Sequence, residues 1–223
     1  PSFVKKEKIE ILVWGGMKRV RMGIQSGSDQ VLEFYDRPNK PGLIPHATSI
    51  LAEYKEYMIP PDYDLIIDNP VETRGDIADT LNLLYSMKRP FNLNVFALRA
   101  IPNTELANDL MQRGVDIEDI KTSYLIAAPT FANCMIYLLT VFRPPKRIFN
   151  YLLQYAKPFT EEQTLFPMVF FFSRALWMLK RAYYHVKFLD FSVFPGRVGW
   201  LFYHSGISKL FNKQEPPSAW NPQ

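Results

Sequence analysis

The chain has 223 residues, 48% of them apolar, with 26 Lys+Arg against 22 Asp+Glu and one cysteine. That is enough apolar material for a full core, which excludes a disordered chain; a single thiol excludes an intrachain disulfide and any zinc or iron–sulfur site built from this chain's cysteines alone. The charge is uneven: residues 141–223 hold 11 Lys+Arg and 4 Asp+Glu, a surplus of +7, while residues 1–140 hold 15 and 18, a net of −3.

The opening PSFVKKEKIE lacks the long apolar stretch and small-residue cleavage site of a signal peptide, so a cytoplasmic setting is expected, and the lone Cys134 suits it. Glu7 to Trp14 reads as a helix stopped by Gly15 and Gly16. RVRMGI (19–24) alternates as a strand does, and Asp29 to Tyr35 reads as a short helical turn. Ile44 to Tyr57 carries apolar residues at helical spacing and ends before Pro60 and Pro61. DYDLIID (62–68) has the continuous apolar centre of a buried parallel strand. A helix over Asp76–Met87, a third strand FNLNVFAL (91–98) and a helix from Thr104 to Met111, stopped near Gly114, follow.

Past residue 115 the texture changes to aromatic and basic segments broken by Pro144, Pro145, Pro158 and Pro167, which reads as irregular helices. TSYLIAAPTFANCMIYLLTVF (122–142) carries no charge and has the ~20-residue length that spans a bilayer. Pro129, Thr130 and Asn133 weaken that reading, and a buried helix is the plainer one. The basic, aromatic stretch after Phe170 fits an amphipathic helix with snorkelling cations; peripheral contact with the inner face of a membrane is the alternative, and no nucleic-acid partner is expected.

Strand and helix alternate three times at crossover spacing, which predicts an α/β fold: three parallel strands of a partial (β/α) barrel over residues 1–115, followed by a mostly helical region over 116–223. Three strands leave a raw sheet edge, so further sequence upstream is expected to continue the sheet.

In such folds ligands sit at the carboxyl ends of the strands. There the sequence offers Gln25 with the turn Ser26-Gly27-Ser28, and Asp68, Asn69 and Glu72 after the second strand. Three blocks, GIQSGSDQVLEFYDR, YDLIIDNPVET and NVFALRAIPNTEL, resemble the second half of a radical SAM enzyme core, most closely the cobalamin-binding radical SAM proteins, over roughly residues 5–112. The resemblance implies that Gln25, Ser26, Arg37 and Asp64 contact S-adenosylmethionine, with the Arg37 guanidinium suited to its carboxylate. It also implies that Asp68, Asn69 and Glu72 border the substrate cavity. Each has a plainer role: Gln25 and Ser26 as caps or backbone partners, Arg37 paired with Asp36 or Glu33, and the DNPVET carboxylates as helix entry.

Radical SAM enzymes hold a [4Fe-4S] cluster on a CxxxCxxC loop, which this sequence lacks. Cluster and cobalamin are therefore expected only from upstream sequence, and this chain alone is expected to be inactive. Either it is the carboxyl-terminal part of a longer enzyme of radical methyl transfer or carbon-skeleton and ring chemistry, acting on a small-molecule or lipid-like substrate, or it is a non-catalytic binding or membrane-surface module on the same scaffold. His46, His185 and His204 are too scattered for a metal pair, no metal ligand is assigned, and GxGxxG, phosphate-loop and GxSxG motifs are absent.

Overall fold

The structure is a computed structural model that describes residues 1–37, 40–117, 127–162 and 164–190. Three strands, β1 (Arg21–Gln25), β2 (Asp62–Ile67) and β3 (Asn92–Ala97), form a parallel sheet in the order β1-β2-β3. Helices α1 (Lys6–Trp14), α2 (Asp29–Phe34), α3 (Leu43–Glu53), α4 (Arg74–Ser86) and α5 (Glu105–Gln112) surround and connect them. The remaining described chain is helical: α6 (Phe131–Val141), α7 (Lys146–Leu153) and α8 (Pro167–Lys187). The α/β class with a helical carboxyl-terminal region is therefore as the sequence indicates.

Period-two alternation gives the sheet two unlike faces. Met22 and Ile24, Tyr63, Leu65 and Ile67, and Leu93 point into the main core, where they meet Ile50 and Leu51 of α3 and Leu81 and Leu84 of α4. The other face is polar. Arg21 pairs in register with Asp62 and Asn92, and Gly23 with Asp64 and Asn94. Parallel sheets are usually apolar on both faces, so a polar face marks a surface that does not pack against a second helix layer along its whole length.

The main core runs without a break from Ile9 to Phe170, across the change of texture at residue 115. From α6, Ala132, Cys134, Met135, Ile136, Tyr137 and Leu139 all join it. The uncharged segment is thus carried, as far as it is described, by a buried 11-residue helix capped by Thr130, whose hydroxyl accepts from the Asn133 N–H. Among the described residues no helix is long and apolar enough to cross a membrane.

α8 is built the other way round. Two of its charged residues turn inward: Lys180 donates to the carbonyls of Phe91 (2.5 Å) and Thr140 (2.6 Å), and Arg181 donates to Asn94 Oδ1 (3.0 Å) and pairs with Asp62 at 3.3 Å. Its outward face is apolar and exposed.

Candidate functional site

β1 does not end in an ordinary way. Its pairing with β2 slips between Gly23 and Gln25, and Gln25 takes a left-handed backbone (φ +60°), a conformation that costs a non-glycine residue about 1 kcal/mol. The kink folds the Gln25 side chain back over Gly23: a Cβ on residue 23 would lie 2.4 Å from Gln25 Nε2. Glycine at 23 is therefore what lets the amide lie across the strand end.

A cavity of about 790 Å³ opens there, within the range of small-molecule sites. Gly23, Gln25, Tyr35 and Arg37 line it together with apolar Leu43 and Ile44 at the start of α3. The lining therefore mixes polar and charged groups, Asp36 and Lys40 among them, with apolar side chains. Arg37 is exposed and Tyr35 half-buried, so the guanidinium is hydrated while the ring forms a firmer wall.

The four residues expected at the cofactor are not all brought together. Gln25 and Arg37 share the cavity, whereas Ser26 and Asp64 are not in its lining. Ser26 is fully buried; its hydroxyl accepts from the Ser28 N–H (3.1 Å) and is hydrogen-bonded to the Thr80 hydroxyl (3.2 Å). The turn is clamped to α4 throughout. The Gly27 N–H donates to Thr80 Oγ1 (2.9 Å), and a Cβ at 27 would come within 2.5 Å of the Thr80 Cα, so only glycine allows the approach. Ser28 caps α2 by accepting from the Val31 N–H and donates to Asp76. Burial pushes the Asp76 carboxyl up, but the hydrogen bonds from Ser28 and Thr73 outweigh it and hold the group below its usual value.

Asp64 lies on the polar face of the sheet. It accepts two hydrogen bonds from Arg21 Nε (2.8 and 2.9 Å) and one from Asn94 Nδ2 (2.9 Å). Through Asn94 the network continues to Arg181 of α8. Asp64 is thus the hub of a strand-to-strand polar ladder.

The residues after β2 form a second buried group beside the cavity wall. Asp68, also left-handed (φ +55°), accepts from the Ala128 N–H and from Asn133 Nδ2, both at 2.8 Å, and so fastens the start of α6 to the end of β2. Burial raises its carboxyl, with these two hydrogen bonds opposing. Asn69 is fully buried; its Oδ1 accepts from the Val71 N–H (3.1 Å), and its Nδ2 donates to the hydroxyl of the cavity-lining Tyr35 (3.0 Å). Glu72 is also buried. Loss of hydration raises its carboxyl to about 8, a backbone hydrogen bond from Asn69 works against this, and the charges of Asp68 and Asp76 add to it. Burial and the nearby Glu72 raise the Tyr35 phenol as well. The wall behind Tyr35 thus holds a carboxyl whose burial favours its protonated form.

Sequence reasoning missed Tyr35, which reads as the last residue of a short helix, and Gly23, which reads as a strand residue. The available signal for Gly23 was a glycine inside an otherwise regular strand, which marks a bulge or a close approach. Among the described residues no group of three or more His, Cys, Asp or Glu is placed to hold a metal ion. Comparison with models of known protein families finds no match to this chain, and comparison with curated proteins finds none either.

Proposed function

We propose that the cavity at the carboxyl end of β1 binds S-adenosylmethionine, and that the chain serves as the cofactor- and substrate-cavity part of a radical SAM enzyme. The observation that carries this reading is the meeting of Gln25 and Arg37, from separate elements, on one cavity with an apolar wall. Arg37 offers a planar fork to the methionine carboxylate, Gln25 offers a donor and an acceptor to the polar groups of the nucleoside, and Leu43 and Ile44 suit the adenine face.

The chain's residues do not fit the iron–sulfur cluster of such enzymes. Its one cysteine, Cys134, is buried in α6, where loss of hydration raises the thiol to about 11, the wrong direction for a ligand thiolate. No electron-transfer step is therefore assigned to residues of this chain. Their part is to bind and orient the sulfonium nucleoside and to shape the space beside it.

Isothermal titration of the chain with S-adenosylmethionine and with S-adenosylhomocysteine tests the reading. Binding of both is expected, with Arg37→Ala and Gln25→Ala each weakening it by at least about tenfold, the scale of one charge-assisted hydrogen bond. Heat of binding that is absent, or unchanged in both variants, would end it.

A further inference from the structure

α8 presents a continuous apolar face that nothing in the described structure covers. Val169, Phe172, Leu176, Leu179, Tyr183 and Val186 recur every three or four residues along its whole length and are all exposed; Phe172 and Leu179 are 60% and 67% accessible. An aqueous helix turns such a stripe inward and its charges outward. Here Lys180 and Arg181 point into the protein, so the orientation is not a loose detachment of the helix but is fixed by four polar contacts to Phe91, Thr140, Asn94 and Asp62. Ser173, fully buried, and the edge contacts of Tyr137 with Phe170 and Trp177 hold the same inner face against α6.

The charges flanking the stripe indicate what it meets. Of the four cations of α8, Lys180 and Arg181 are held inward, which leaves Arg174 and the exposed Lys187, 3.6 Å from Glu56, at the margins of the stripe; the helix itself has no carboxylate. Arg174 lies beside a shallow apolar groove along the stripe, formed with Phe171, Met178 and Leu179. A second copy of this helix would add the same marginal cations, Arg174 and Lys187, and no carboxylate of its own to meet them. Its footprint would also be small: 21 residues at 1.5 Å each give a strip about 31 Å long, and at ~10 Å wide that is roughly 300 Å², well short of the ~800 Å² per partner of a stable interface.

An anionic lipid surface matches both features, taking the apolar side chains among the acyl chains and the marginal Arg174 and Lys187 at the headgroups. We infer that the outward face of α8 is a docking surface for an anionic membrane, with α8 lying in the plane of the interface. This does not depend on what the β1 cavity binds.

The test is co-sedimentation of the full chain with vesicles of phosphatidylcholine, with and without phosphatidylglycerol. Partitioning is expected to favour the anionic vesicles by about tenfold or more and to weaken as salt is raised. The double variant Phe172→Glu/Leu179→Glu should lose at least about tenfold in partitioning while keeping the wild-type circular dichroism and melting temperature, since both positions are exposed. Equal partitioning of variant and wild type, or equal affinity for neutral vesicles, overturns the inference. So does an absence of partitioning: if sedimentation then shows the variant turning a dimer into a monomer, the face belongs to a second copy, and if the mass is unchanged, the full chain covers the face itself.

Discussion

The sheet and α8 distribute polarity in opposite senses. In the sheet, Leu65 and its neighbours are sealed against helices while Gln25, Arg37 and the Asp64 ladder meet a cavity or an open face. In α8 Lys180 and Arg181 are inward groups while Phe172, Leu179 and Tyr183 face out. The contrast teaches that burial of one polar face can be supplied by a ligand cavity, whereas exposure of one apolar face calls for a separate surface to cover it.

The sharpest way to break this comparison is to truncate one apolar residue on each side. Leu65→Ala, in the sealed core, is expected to cost about 2–5 kcal/mol, while Leu179→Ala on α8 should stay within about 0.5 kcal/mol in urea unfolding. Equal losses would mean that α8 is covered in solution.

A pH series separates the regions next, because each buries one titratable group by loss of hydration. Glu72 is raised from its ordinary 4.5 to about 8, so the folded state holds a proton that the unfolded state releases; stability falls as pH rises from 4.5 to about 8. Lys180 is lowered from 10.5 to about 7, so the folded state lacks a proton the unfolded state holds, and stability rises between about 7 and 10.5. Glu72→Gln should flatten the first limb, gaining up to roughly 3 kcal/mol at pH 7, and leave the second. Unfolding curves across pH 5–9 would show whether the limbs separate; a Glu72→Gln profile parallel to wild type would show the carboxyl is ionised after all.

The smallest effect on stability and the most selective effect on binding belong to Gly23→Ala. The new Cβ meets only the mobile end of Gln25, so stability should change by less than about 1 kcal/mol. The Gln25 amide would be displaced, and calorimetry should register weaker S-adenosylmethionine binding with the core intact. Unaltered binding would show that the folded-back amide is not what the ligand meets.

Much of this architecture was legible in the sequence. Period-two and helical spacing gave β1 to β3 and α3 to α5 within a few residues, because those elements bury one face and the pattern records it. α8 also read as an amphipathic helix, but which face turns inward did not: an apolar stripe implies burial by default, and only the bonds of Lys180 and Arg181 reveal the reverse. At the site, strand-end logic located Gln25, and Arg37 joined it on the cavity. Ser26 and Asp64 could not be resolved from sequence, since a serine after a strand serves a cap, a clamp or an anion equally well, and the choice here rests on Thr80, which is 54 residues away. Tyr35 was hidden for the same reason, its hydroxyl being set by Asn69 from beyond the next strand.

The Asp68 carboxylate also joins two stretches that lie far apart in the chain. It grips residues that leave the ribosome 60 and 65 positions later, and its left-handed backbone takes shape only where β2 stops. One side chain thus staples the end of β2 to the start of α6 across the intervening α4, β3 and α5.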